Sequence, residues 1–317
     1  MERDIPRGRF LMVHTPNVAV LTGFGINCDH ETAAVFRIAG ANPERIHVNH
    51  LVSGERNLSE FHILAVPGGF SFGDHLGSGR LLGNRMRFSL REQLSQFVAE
   101  GKPIIGICNG FQVLVKTGLL PGKEIPDFEQ TASLTLNNSG RYEDRWVTLD
   151  FNQDSNCIWT KGIQRMEVPV RHGEGKFVTP SEEILDSLDA NGQLVCRYVD
   201  PSTSPGEGIT NNPLPFPICP NGSMRNIAGI SDPTGLIFGL MPHPEAIYAR
   251  WLHPHFRRQE LPDVERAPSP FGHIISDETE TEESNRLARD REAERLVWEG
   301  EGMVIFHNAV EYVRNNL

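Results

Sequence analysis

An α/β fold, with a central and mainly parallel sheet covered by helices on both faces, is predicted by three features of this chain. Short apolar runs alternate with helix-patterned stretches through its first part. Glycine-containing punctuation follows these runs where a strand would hand over to a helix. From Thr131 the texture changes to alternating stretches and turns, which adds an antiparallel portion. Repeated β–α units of this kind make neighbouring strands parallel, because each helix carries the chain back across the sheet.

Val18-Ala19-Val20-Leu21 reads as the first strand and residues 31–39 as the helix after it. Arg45-Ile46-His47-Val48 is a weaker second strand. Ile63-Leu64-Ala65-Val66 is a clear third, stopped by Pro67-Gly68-Gly69. Residues 91–100 form a helix closed by Gly101. Lys102-Pro103-Ile104-Ile105 brings in a further buried strand, and Phe111-Gln112-Val113-Leu114-Val115-Lys116 opens the next helix. Ser133-Leu134-Thr135-Leu136, Trp146-Val147-Thr148-Leu149, Glu167-Val168-Pro169-Val170 and residues 192–199 read as strands of the antiparallel portion. The proline-rich residues 201–220 form a long surface loop. Residues 226–230 and 236–240 flank Asp232-Pro233-Thr234-Gly235, a hairpin signal. Residues 262–294 are polar and charge-rich and read as an exposed insertion, after which 303–313 resembles an amphipathic helix. The expected organisation is an extension (1–16), a principal domain (17–250), a polar insertion (251–300) and a C-terminal helix completing the domain (301–317).

Composition narrows the function. The 317 residues carry a formal net charge of −11, so no basic surface is expected for nucleic acid. No apolar run approaches the ~20 residues that cross a bilayer, and the N-terminal residues lack the apolar core of a secretory signal. Five cysteines without a CxxC pair fit a reducing cytoplasm and announce neither a disulfide framework nor a metal site.

The chemistry centres on Gly106-Ile107-Cys108-Asn109-Gly110, between a buried strand and a helix. A nucleophile flanked by glycines at such a junction is a nucleophile elbow, which lifts the thiol off the sheet toward the positive end of the next helix. That field favours thiolate, the reactive species. A buried cysteine is more commonly core packing, but packing does not call for the flanking glycines. Met241-Pro242-His243-Pro244-Glu245 supplies an imidazole and a carboxylate two residues apart, on one side of an extended chain. Cys108, His243 and Glu245 therefore form a candidate catalytic triad. The amides of Gly69 and Asn109 are candidate oxyanion donors, typically worth ~3 kcal/mol each.

These motifs together resemble a class I (triad) glutamine amidotransferase, of flavodoxin-like fold. Asn27-Cys28-Asp29, Pro67-Gly68-Gly69-Phe70-Ser71-Phe72-Gly73-Asp74 and Gly106 to Gln112 narrow the likeness. So do Asn138-Ser139-Gly140-Arg141-Tyr142-Glu143, His172-Gly173-Glu174-Gly175-Lys176-Phe177, Pro220-Asn221-Gly222-Ser223 and the His-Pro-Glu segment. In that order they are similar to the glutaminase (PurQ-type) components of phosphoribosylformylglycinamidine synthase. The resemblance implies hydrolysis of glutamine here and delivery of ammonia to a separate synthetase (PurL-type) subunit, with or without a small PurS-type subunit. That partner would use ATP and Mg to make formylglycinamidine ribonucleotide in purine synthesis, and this chain would need no cofactor. It also implies glutamine-binding roles for Gly68 and Gln112, and a place in the glutamine site or the synthetase-facing surface for Asn138, Ser139, Arg141 and His172. The family commonly carries a basic residue where this chain has Ala246, which bears on the partner contact and not on the chemistry. An elbow-type thiol hydrolase of the dienelactone-hydrolase kind and a non-catalytic partner-binding subunit are the alternatives.

Overall fold

In the computed structural model, residues 15–258 and 298–317 are described. The expected extension and the 262–294 insertion therefore lie largely or wholly outside the described residues. The first β–α units are β1 (Asn17–Thr22), α1 (Asp29–Ile38), β2 (Asn42–His47), α2 (Val48–Val52), β3 (Ile63–Val66), α3 (Arg80–Ser89), α4 (Arg91–Ala99), β4 (Ile104–Ile107) and α5 (Asn109–Thr117). Strands β5 (Ser133–Thr135), β6 (Glu143–Phe151), β7 (Arg165–His172) and β8 (Lys176–Val178) follow, then α6 (Glu182–Ala190). The chain continues with β9 (Leu194–Val199), β10 (Ile227–Ser231), β11 (Ile237–Leu240) and the closing helix α7 (Met303–Asn316).

The main sheet has nine strands in the order β2-β1-β3-β4-β11-β10-β9-β6-β7. The first five run parallel. Strands β3 and β4 are apolar throughout because both of their faces are covered, and every residue in them is buried. The remaining strands pair antiparallel. Strands β10 and β11 meet through the expected turn, where the Asp232 carboxylate accepts from the amides of Ile237 (2.8 Å) and Thr234 (3.1 Å). A separate β5–β8 pair completes the antiparallel portion.

Three helices were not anticipated from the sequence: α2, which begins at Val48 where a strand was expected, and α3 and α6, which pack their apolar edges through Leu82 and Met86 and through Leu185 and Leu188. The proline-rich loop is pinned from below by Asp150, which is fully buried. Its carboxylate accepts from Arg165 Nε at 2.6 Å and from the amides of Gly206 (3.0 Å) and Gly208 (3.3 Å).

Helix α7 buries Met303, Phe306, Val310 and Val313, the i, i+3, i+4 pattern of an amphipathic helix. Phe306 meets Phe36 of α1 edge-on at 5.1 Å, and Asn308 Nδ2 donates to the Trp159 (3.0 Å) and Lys161 (2.9 Å) carbonyls. Just before it, Ala249 and Glu299 pair as an antiparallel bridge, and the Gly300 amide donates to the Tyr248 carbonyl at 2.9 Å. Gly302 lies so close to the Pro244 carbonyl that a Cβ there would collide with it. The last helix is thus seated directly behind the His243–Ile247 loop.

Candidate active site

Four neighbouring parallel strands, β1, β3, β4 and β11, deliver their carboxyl ends to one place, where ligands collect in open α/β sheets. Cys28 follows β1, Gly68 follows β3, Cys108 follows β4 and His243 follows β11. Cys108 has φ 52° and ψ −107°, a strained conformation for a non-glycine residue and the mark of an elbow. Its amide is anchored by the Leu240 carbonyl at 2.8 Å. A Cβ at Gly110 would collide with the Val66 carbonyl oxygen at the end of β3, so only glycine lets α5 start this close to the sheet.

His243 is 2 % exposed and its Nδ1 lies 2.6 Å from Glu245 Oε1, with Glu245 1 % exposed. Burial alone would push the imidazole down. The charge of Glu245 and the nearby Cys108 and Cys28 thiols outweigh it, and the pKa stands well above the ordinary histidine value. No hydrogen bond of good geometry reaches His243 Nε2, so both thiols act on the ring from looser contact. The Cys108 thiol points instead to the Arg171 carbonyl at 3.5 Å. The Pro169 carbonyl accepts from the His243 amide at 2.9 Å. Strand β7, the far edge of the sheet, therefore reaches back over the ends of the parallel strands.

A cavity of about 210 Å³ opens on Cys108 and His243, with Gly69, Cys28, Asn27 and Glu31 on its walls and Phe70, Tyr142 and Arg171 toward solvent. A roomier hollow of about 690 Å³ beside α6 is lined by neither cysteine nor histidine. Gly68 lies between Cys28, Cys108 and His243. A Cβ on it would stand 2.9 Å from His243 Cε1, 3.2 Å from Cys28 Sγ and 3.4 Å from Cys108 Cβ.

The other residues singled out from the sequence occupy different places. Asn109 and Gln112 are buried beside the elbow, and their side chains bond each other (2.8 Å), the Ser71 amide (3.1 Å) and the Glu174 carbonyl (2.5 Å). They tie the loops after β3 and β7 to α5. Asn138, Ser139 and Arg141 are exposed and do not line the cavity. Ser139 Oγ donates to Glu143 Oε1 at 2.7 Å, and Asn138 Oδ1 accepts from Lys176 Nζ at 2.8 Å. His172 is buried, its Nδ1 3.1 Å from Asn137 Oδ1, and its pKa is lowered to about 4 by burial and by the charge of His243. It stays neutral beside the charged His243.

Sequence reasoning singled out no individual role for Cys28, Tyr142 or Arg171, although Cys28 and Tyr142 stand in stretches that carry the resemblance. Cys28 could have been flagged, because it sits in the loop at the carboxyl end of the first strand. That loop docks on the Pro-Gly-Gly turn, with the Asn27 and Cys28 amides both donating to the Gly68 carbonyl, at 3.3 and 3.2 Å. Cys28, His243 and Glu245 also offer one metal-ligand atom each within 4.8 Å of one another.

The family model of the CobB/CobQ-like glutamine amidotransferase domain matches residues 15–313. Among curated relatives, the PurQ subunit of phosphoribosylformylglycinamidine synthase from Methanococcus maripaludis is 44 % identical over 230 residues, 73 % of this chain and 82 % of that one. The PurQ subunit from Dehalococcoides mccartyi is 41 % identical over 290 residues, 92 % of this chain and 94 % of that one. Among solved structures, a chain of PurLQS from Thermotoga maritima superposes with a TM-score of 0.56 at 27 % identity, covering 77 % of this chain and 94 % of that one. An elbow cysteine, a carboxylate-bonded histidine and these relatives agree, and the chain belongs to the glutamine amidotransferase family, among the PurQ subunits of phosphoribosylformylglycinamidine synthase.

Proposed function

We propose that this chain hydrolyses glutamine to glutamate and ammonia at Cys108 and passes the ammonia to a synthetase subunit that forms formylglycinamidine ribonucleotide. The observation that carries the reading is the meeting of Cys108, on its elbow, and His243, held by Glu245, on the walls of one small cavity.

The steps follow from the groups. His243 takes the Cys108 proton, and Glu245 favours the resulting imidazolium. The thiolate attacks the glutamine carboxamide carbon. The amides of Gly69 and Asn109 are the donors for the developing oxyanion. His243 then gives its proton to the departing ammonia, leaving a glutamyl thioester. A water deprotonated by His243 hydrolyses that thioester, releasing glutamate and restoring the thiol. Gly68, Gln112, Asn138, Ser139, Arg141 and His172 remain candidates for shaping the glutamine site or the surface around it.

Ammonia released to bulk water at neutral pH would be protonated and lose its nucleophilicity, so the reaction calls for a docked partner. Phe70 and Tyr142, on the cavity wall and 44 % and 52 % exposed, give such a partner an apolar rim to close on. The relatives point to PurL and PurS as that partner, with ATP and Mg bound there and no cofactor on this chain. A cytoplasmic setting suits five free thiols. Among the described residues no helix is long and apolar enough to cross a membrane.

The test is glutamate release by the chain with its synthetase, ATP and formylglycinamide ribonucleotide. Cys108→Ala is expected to abolish glutamine-dependent synthesis while sparing synthesis from added ammonia. Loss of both in an assembled complex would contradict this division of labour.

A further inference from the structure

The triad uses one thiol, yet the cavity holds two. Cys28 is buried, lines the same wall as Cys108 and His243, and acts on the same imidazole. Nothing in the hydrolysis of an amide requires it. His243 carries the features of a metal-ligating histidine. Its Nδ1 is bonded to a carboxylate at 2.6 Å, the arrangement that fixes the tautomer and aims Nε2 at a metal. Nε2 itself is buried and has no hydrogen-bond partner. Cys28 Sγ lies within 4.8 Å of a His243 ligand atom.

We propose that Cys28 and His243 Nε2, joined by Cys108, form a binding site for a soft divalent cation of the zinc type in the resting subunit. Two thiolates and one imidazole suit Zn²⁺, and the open cavity leaves a fourth position for water. Binding displaces the two thiol protons and the His243 Nε2 proton to solvent and forms two S–Zn bonds and one N–Zn bond, with no change of oxidation state. The Cys108 thiol lies outside the close group of Cys28, His243 and Glu245 and must swing from the Arg171 carbonyl toward the ring to complete the site. No sequence spacing announces the site, because its ligands come from the ends of three different strands. Zinc there occupies both the nucleophile and the base, so it would hold the subunit inactive. That consequence, unlike the binding, rests on the proposed glutaminase reading.

The experiment uses the metal-free, reduced full chain. Zn²⁺ is titrated against a chromogenic chelator, and Co²⁺ is used as a spectroscopic stand-in. The expected result is one ion per chain and a sulfur-to-cobalt charge-transfer band. Cys28→Ala should lower the affinity at least tenfold and weaken the band. No stoichiometric binding by the wild type, or equal affinity and an unchanged band in Cys28→Ala, overturns the site. Should that variant fail to fold, alkylation of the wild type by iodoacetamide is read by mass spectrometry. Zn²⁺ must then protect Cys28 and Cys108 together, and an unprotected Cys28 overturns the proposal. A chain that binds zinc but never releases glutamate leaves the metal site standing and removes the glutaminase. The reverse outcome does the opposite.

Discussion

At the scale of single residues, two buried imidazoles lie close together with their pKa values driven apart. Beside Glu245, His243 is pushed up, which in the proposed reaction keeps a proton for the departing ammonia. His172 has no carboxylate bonded to its ring, and it is pushed down to about 4 by burial first and by its charged neighbour second. The lower value is also a statement about stability. Between about pH 6.5 and 4 the unfolded chain binds a proton at this position and the folded chain does not. Stability therefore falls as the pH drops through that window, and the missing protonation is worth about 3 kcal/mol by pH 4. His172→Gln is expected to lose less stability than the wild type over the same range. Urea unfolding at pH 4.5 and pH 7 checks it, and parallel pH profiles for the two proteins would rule the linkage out.

Among the elements, the strand-to-helix turn at Cys108 is the most constrained, because α5 starts against the end of β3 with no space for a side chain at Gly110. Gly110→Ala is expected to cost more than about 3 kcal/mol by overpacking the turn. Denaturant unfolding would show it, and a variant within 1 kcal/mol of wild type would mean that the turn yields cheaply. This element was legible in the sequence because its requirements are local: an apolar strand, two glycines, a nucleophile and a helix. The His243 loop was legible for the same reason. Helix α6 was locally marked too, by Ser181 before Glu182 and Glu183, although no sequence reading assigned it. Helix α3 was not. It starts at a left-handed Gly79 without a capping side chain, and its polar sequence makes sense only where Gly83 sits against Lys116 of α5. Arg171 stayed hidden because β7 reaches the cavity only once the sheet has formed.

At the scale of the whole molecule, the carboxyl ends of the parallel strands carry the groups of the proposed reaction. The antiparallel strands roof them, and α7 backs the His243 loop. That last support depends on a return of the chain across residues 259–297, which the Ala249–Glu299 bridge closes at its base. Ala249 and Glu299, on either side of it, already stand side by side. Removing residues 262–294 is therefore expected to leave the melting temperature within a few degrees of wild type and Cys108-dependent turnover intact. A large fall in melting temperature would show that the stretch belongs to the core. Binding of the shortened chain to the synthetase tells whether the stretch touches the partner, and unchanged affinity removes that idea. The stapled base also makes this position a natural port for evolution or for an engineer. A guest domain could be spliced in, or the backbone cut to give new termini, where Ala249 and Glu299 already stand side by side next to the His243 loop.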